Sequence, residues 1–325
     1  MNLRYLSIAN LFIYAFFLSS FIACQKNENL PSQELRPVST QHNLYDILFV
    51  DSMLGFIVGG DRYASSDLLV TEDGGENWNL SRLPPDGNKA VYAVAAAENK
   101  VLAAGFDGKV FRYDEADKSW SYMQTNWWEW FQGICITPNA NSFVVGGIGY
   151  QHGRILKMDE EGVVLQADSF DFELTDVIFI DDNTGFTCGY GALLKTSNGG
   201  HSWQQLNIKG DFYKSLFYKA DGSIWAVGYN GSIIHSTDNG MTWEKSRRGG
   251  NIMKKQWRLR DIAFWNTQEG IAVGDKGLVV YTHDGGQNWQ ELNSLVSADL
   301  NSVSFQPHGV AWIAGAEGTL IRMKL

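Results

Sequence analysis

Two stretches of this chain concentrate side chains able to grip a ligand. Between Ser246 and Arg260 stand Arg247, Arg248, Lys254, Lys255, Arg258 and Arg260, with no acid before Asp261. The whole chain has a formal charge of −10, so this is a basic island in an acidic protein. Guanidinium forks bind carboxylate or phosphate with geometry as well as charge; the plainer reading is a solvated loop. From Asn126 to Phe131 run Trp127, Trp128, Glu129 and Trp130. Trp130 or Phe131 suits the start of a packed strand. Trp127 and Trp128 suit either such packing or an exposed platform for sugar rings or a protein partner.

Covalent chemistry is harder to find. His42, His152, His201, His235, His283 and His308 never stand at metal-ligand spacing from another His, a Cys or a carboxylate, so no metal and no cofactor is expected. No Gly-x-Ser-x-Gly elbow, phosphate loop or dinucleotide fingerprint occurs. Carboxylate pairs for glycoside hydrolysis stay open, because they would come from segments whose separation a sequence does not reveal. The acidic charge argues against nucleic acid. The expectation is recognition without catalysis, with a protein or peptide client. The alternative is a surface glycan-binding protein or glycosidase.

Something must hold these loops in place, and the chain repeats itself to do so. Seven apolar runs end in glycine about forty residues apart, at Gly59, Gly105, Gly146, Gly189, Gly228, Gly274 and Gly315. Before each lies another short run rich in β-branched and aromatic residues, as in Leu44-Tyr45-Asp46-Ile47-Leu48-Phe49 and Leu174-Thr175-Asp176-Val177-Ile178-Phe179. A third follows the glycine, and a fourth follows a turn and often starts at tryptophan. Four short antiparallel strands per unit make a propeller blade, and seven units predict an all-β, seven-bladed β-propeller over residues 34–325. After Ile321 too few residues remain for a last outer strand. An N-terminal strand within Glu34 to Thr40 is expected to supply it and close the ring.

Four units share one turn. Thr71-Glu72-Asp73-Gly74-Gly75-Glu76-Asn77-Trp78 recurs around Asn198 and Trp203, Asp238 and Trp243, and Asp284 and Trp289. An Asp or Asn side chain accepts backbone N–H bonds a few residues on, glycine takes positive φ, and the tryptophan covers the hairpin. This turn resembles the Asp-box, or BNR repeat, of sialidases and other propellers, and reads as a structural device. Sialidases also carry an Arg-Ile-Pro segment, which is absent here. The longer unit, Leu-x-Asp-Val-x-Phe followed by Gly-x-x-x-Gly and the turn, resembles the photosystem II stability and assembly factor family over residues 40–325. That resemblance implies a seven-bladed propeller, occurring also as bacterial lipoproteins, and a basic patch for a client polypeptide. It puts Arg247, Arg248 and Arg258 forward as client-binding residues.

The N-terminus predicts an address. A short positive segment, an apolar run from Tyr5 to Ala23 and then Cys24 describe a signal peptide over 1–23. Phe21-Ile22-Ala23-Cys24 resembles a lipobox, which implies lipidation at Cys24, with Phe21 in place of the usual leucine. An uncleaved membrane anchor is the rival reading. Residues 24–33 read as a flexible stalk. No Asp follows Cys24, so a lipid-anchored envelope protein at the outer membrane is expected. Loss of 1–23 removes Arg4 alone, leaving 25 basic and 36 acidic residues and a formal charge of −11. Cys135 and Cys188 read as buried thiols whose pairing stays open.

The second residue of each first strand reads Tyr45, Tyr92, Gln132, Thr175, Tyr213, Arg260 and Asn301, all polar or amphipathic. The fourth reads Ile47, Val94, Ile134, Val177, Ser215, Ile262 and Val303. First strands line a propeller's axis, so this contrast predicts a wet rim above a packed wall. Tyr45, Tyr92, Tyr213 and Arg260 are expected to form an amphipathic cup beside the basic loop.

Overall fold

The computed structural model describes residues 30–81, 83, 88–97, 100–208, 211–250 and 256–325. The signal segment, Cys24, most of the stalk, Lys254 and Lys255 lie outside the described residues. The compact unit runs from Ser32 to Leu325.

Seven four-stranded antiparallel sheets form the ring. Blade one holds Asn43–Phe49, Gly55–Gly60, Asp67–Thr71 and Asn79–Ser81. The first strands of the next six blades are Val91–Ala97, Trp130–Ile136, Leu174–Phe179, Tyr213–Tyr218, Leu259–Phe264 and Leu300–Gln306. The second strands are buried from end to end in blades four, five and six, because sheets cover them on both faces. That is why their sequences are unbroken apolar runs rather than alternating ones. The glycine that ends each run has a steric cause. A Cβ on Gly274 would stand 2.9 Å from the carbonyl carbon of Arg258, where the chain enters the first strand.

Blade seven takes its outer strand from the N-terminus. Ser32–Leu35 pairs antiparallel with the last strand, Ser32 opposite Lys324 and Leu35 opposite Ile321. The strand sits earlier than the expected Glu34–Thr40 window and shares Glu34 and Leu35 with it. Residues 36–42 are needed to cross from the outer edge of blade seven to the first strand of blade one. Three strand spacings of about 4.8 Å lie in between.

All seven first strands shift register at the polar or amphipathic residue that follows their first buried apolar side chain, the position read as second in the sequence. In blade one the shift lies between Leu44 and Asp46, and in blade six between Leu259 and Asp261. In blade five it lies between Tyr213 and Ser215. Lys214 is therefore the second-position residue there, and the expected Tyr213 is corrected by one. Tyr213 takes the place of Leu44 and is buried, at 3% exposure. The adjacent Phe212 and Tyr213 could each fill an apolar first position, and a one-residue slip moves a strand's whole side-chain set. The correction also removes Ser215 from the apolar fourth positions and puts Leu216 there, 5% exposed.

Candidate functional site

Antiparallel order puts the loops entering first strands on one face, with the loops joining second to third strands. On that face the ring opens into a cavity of about 470 Å³. Its floor is the ring of bulged residues Tyr45, Tyr92, Gln132, Lys214, Arg260 and Asn301. Its walls are Arg62, Trp130, Tyr150, Glu173, Tyr229 and Arg258. The structure thus brings Tyr45, Tyr92, Arg258 and Arg260 together, as the sequence suggested, and leaves Tyr213 out.

The cup's cations differ in how far they are engaged. Arg260 is engaged through all three of its nitrogens. Its Nε donates to Asp275 at 2.7 Å, Nη2 to Asp299 at 2.7 Å and Nη1 to Asn301 at 2.9 Å. It therefore clamps blade six to blade seven. Arg258 meets Asp275 at 3.5 Å and lies over the ring of Tyr229, 4.3 Å from its centroid. Arg62 is exposed, stacks over Trp130 at 4.2 Å, and forms no ion pair with a carboxylate among the described residues. Lys214 reaches Gln132 Oε1 at 3.3 Å, and desolvation pushes its ammonium pKa down. Tyr45 and Tyr92 meet edge to face at 4.9 Å, and burial followed by the charge of Tyr45 pushes the Tyr92 hydroxyl up to about 12. The cup offers stacked guanidinium groups, phenol hydroxyls and one carboxylate, Glu173. That set can hold a peptide or an anion. It presents no nucleophile paired with a base.

The basic island divides. Arg247 is not in the cup; it latches blade five to blade six, donating to Glu291 at 2.6 Å, to Gln256 at 2.8 Å and to the Gly231 carbonyl. Arg248 is exposed at the ring's outer rim. The tryptophans divide too. Trp130 stacks on Phe106 at 5.3 Å and Trp127 packs beneath Arg154, while Trp128 is 62% exposed. Trp127 and Trp128 share a separate recess of about 550 Å³ with Glu129, His152 and Arg154. Arg154 donates to one oxygen of Glu129 at 2.7 Å.

Below the cup the axial channel, about 450 Å³, carries Asp46, Asp176 and Asp261. Each sits at the third position of its strand and accepts N–H bonds from its own blade and the next. Asp46 takes Ile47 at 2.8 Å and Val94 at 2.9 Å. Desolvation, then the charge of Asp261, raises Asp46 to about 7, and desolvation raises Asp176 to about 7. The Ser302 hydroxyl lies 2.7 Å from Asp46 and 2.9 Å from Asp261. It has one proton to give, so it donates to one of the two carboxylates at a time. Cys135 and Cys188 are free thiols. No cluster of three metal-ligating side chains occurs among the described residues.

The Asp-box turns lie on the opposite face. In the first, Thr71 donates to Asp73 at 2.8 Å, and Asp73 accepts from the Asn77 N–H at 2.9 Å. The backbone bond from Asn77 holds Asp73 at about 2, and the side-chain bond from Thr242 holds Asp238 at about 2. These carboxylates are spent on closing turns.

Sequence reasoning missed Arg62, Lys214, Tyr150, Glu173 and Tyr229. Arg62 stands in an expanded loop of blade one, which was its signal. Tyr150, Tyr190 and Tyr229 each follow a glycine, a Gly-Tyr repeat in three successive blades. Glu173 had no local signal, because its partners Gln132 and Tyr150 come from blade three.

Comparison with known proteins adds a lineage. Residues 253–324 match the family model of the photosynthesis system II assembly factor YCF48, and residues 234–245 match that of the BNR/Asp-box repeat. The chain is 32% identical over 311 residues to a photosystem II assembly protein Ycf48 of Synechococcus sp. (strain JA-3-3Ab), covering 90% of this chain and 88% of the relative. It is 23% identical to a photosystem II assembly lipoprotein Ycf48 of Synechococcus sp. (strain CC9902), covering 88% and 86%. A solved structure described as "YCF48 bound to D1 peptide" superposes with a TM-score of 0.71 at 18% identity, covering 90% of this chain and 95% of the other.

Proposed function

The chain belongs to the Ycf48 family of photosystem II assembly factors, and from that premise we propose that it is a non-catalytic assembly scaffold that holds a polypeptide client in the cup. The cup itself carries this reading. Arg62 lies over Trp130 with no carboxylate partner among the described residues, and Arg258 lies over Tyr229 with a single contact to Asp275 at 3.5 Å, so both keep donors for a ligand. A solved relative described as bound to a peptide supports a polypeptide as the ligand class. Relatives described as lipoproteins support a lipid anchor at Cys24 as the link between the propeller and a membrane. The outer membrane is the address that the residues after Cys24 favour.

The test is capture of client from membrane extracts by wild-type protein and by an Arg62→Glu, Arg258→Glu variant. Both side chains are exposed, so charge reversal leaves the core intact. A defined protein retained by the wild type and lost from the variant is expected. Equal capture by both removes the cup as the client site.

A second reading, glycan binding, is favoured by the 62% exposure of Trp128 above the recess with Glu129 and Arg154. Array binding that disappears in Trp128→Ala supports it; a blank array with wild-type protein ends it.

A further inference from the structure

Four aromatic rings form a contiguous ladder across blades five, four and three, and the rings at its two ends, Tyr229 and Tyr150, both line the cup. Tyr229 lines the cup, and its ring centroid is 6.4 Å from that of Phe212. Phe212 stacks on Tyr190 at 4.3 Å with 18° between the planes. Tyr190 meets Tyr150 at 4.7 Å. Tyr150 is 58% exposed, and Tyr190 and Phe212 are each 37% exposed. The turns do not require these rings. Blades six and seven place Asp275 and Ala316 directly after their strand-ending glycines, where blades four and five place Tyr190 and Tyr229.

The stacking decides what the ladder can bind. Tyr190 and Phe212 pack face to face and hide those faces from a ligand, while Tyr229 meets Phe212 edge to face and Tyr150 is tilted against Tyr190, which leaves rims and phenol hydroxyls along the ladder. A sugar platform needs an open face, which Tyr190 and Phe212 give to each other. Ring rims carry the positive end of the quadrupole, so they favour carbonyl and carboxylate oxygens. Phenol hydroxyls donate to the same oxygens. At the Tyr229 end the charge agrees: Arg258 covers Tyr229, and Arg62 stands across the cup without an acidic partner among the described residues. The ladder's length suits an extended chain of about five residues at roughly 3.3 Å each.

We propose that ladder and cup together bind one extended, acidic segment of a client polypeptide. Its backbone crosses the ring rims, and its carboxylates meet Arg258 and Arg62. This rests on the reading that the cup face holds the client, and it adds the chemistry of the segment and its path.

The probe is a fluorescein-labelled peptide of alternating glutamate and proline, because proline keeps it extended. Fluorescence anisotropy compares it with the same peptide carrying glutamine for glutamate. Wild-type protein is expected to bind the glutamate peptide at least about tenfold more tightly, with affinity falling as salt rises. Tyr150→Ala and Phe212→Ala should each weaken it about three- to tenfold. Thermal unfolding checks the fold of each variant, and if Phe212→Ala is unfolded the highly exposed Tyr150 decides. Equal binding of the two peptides overturns the acidic segment. Wild-type affinity in the ladder variants, with loss in Arg258→Ala, overturns the ladder and leaves the cup as the client site. No binding of either peptide overturns this inference, while client capture still judges the scaffold reading separately.

Discussion

Gly286 in the Asp-box turn of blade six lies directly against the indole of Trp225 in blade five. A Cβ there would stand 2.7 Å from Cζ3, and the glycine has φ +90°. The same contact joins Gly75 to Trp312, Gly200 to Phe143 and Gly240 to Phe186. The box therefore fastens each blade to the one before it, as well as closing a hairpin. Gly286→Ala should destabilise the ring by about 2–4 kcal/mol, from overpacking plus backbone strain. Gly222 is the control, with φ +87° and nothing within 4 Å of its Cβ position. Gly222→Ala should cost about 1 kcal/mol. Urea midpoints separate the two; equal losses would mean that the indole contact contributes nothing.

The channel acids make the ring more stable in mild acid. Asp46 and Asp176 titrate at about 7 when folded, against 3.8 as the ordinary value. Their folded forms hold protons that the unfolded chain has already released. Their contribution is fully present below about 4 and is lost as pH rises through about 7. Asp261 faces Asp46 and raises it by like charge, while Lys214 near Asp176 acts in the opposite sense. The urea midpoint should be higher at pH 5 than at pH 8, and Asp46→Asn should flatten that slope. The Asp-box acids work oppositely: with Asp73 and Asp238 held at about 2, their share is lost as pH falls through that value.

Arg260 is a brace before it is a ligand. Arg260→Ala removes the ion pairs to Asp275 and Asp299 and should cost about 1–3 kcal/mol in thermal unfolding. Arg260→Lys should recover little, because a point charge cannot reproduce the three-way fork. Full recovery by lysine would reduce the clamp to simple charge.

Deletion of residues up to Leu35 removes the outer strand of blade seven and exposes the edge Ile321–Lys324. The shortened protein should melt earlier and self-associate in light scattering, since a bare edge templates pairing. An unchanged melting temperature would show that closure contributes little.

Cys24→Ala should abolish labelling by a radioactive fatty acid and release the protein from membranes. A variant that stays fully membrane-bound would favour an uncleaved apolar anchor.

The repeat, the blade count and the Asp-box were legible in sequence because each is local. Glycine marks the end of every second strand, where the chain entering the first strand leaves no space for a Cβ, through a backbone carbonyl in six blades and the Asp211 side chain at Gly228. Asp73 and Trp78 sit within one turn of chain. Arg260, Tyr45 and Tyr92 were also readable, from the alternation that a channel-lining strand imposes, and Arg258 from the basic run before it. What tertiary structure alone decided concerns partners far apart in sequence. Lys214 replaced Tyr213 because either aromatic of blade five could fill the first position, and packing against neighbouring blades chose one. Arg247 carried the same charge as Arg258 on the page, but Glu291 of the next blade turned it into a latch. Arg62, Glu173 and the stacked rings of Tyr150, Tyr190 and Phe212 meet because ring closure brings loops of different blades to one face. No period in the chain encodes that meeting, since each loop is free to vary while its blade stays the same.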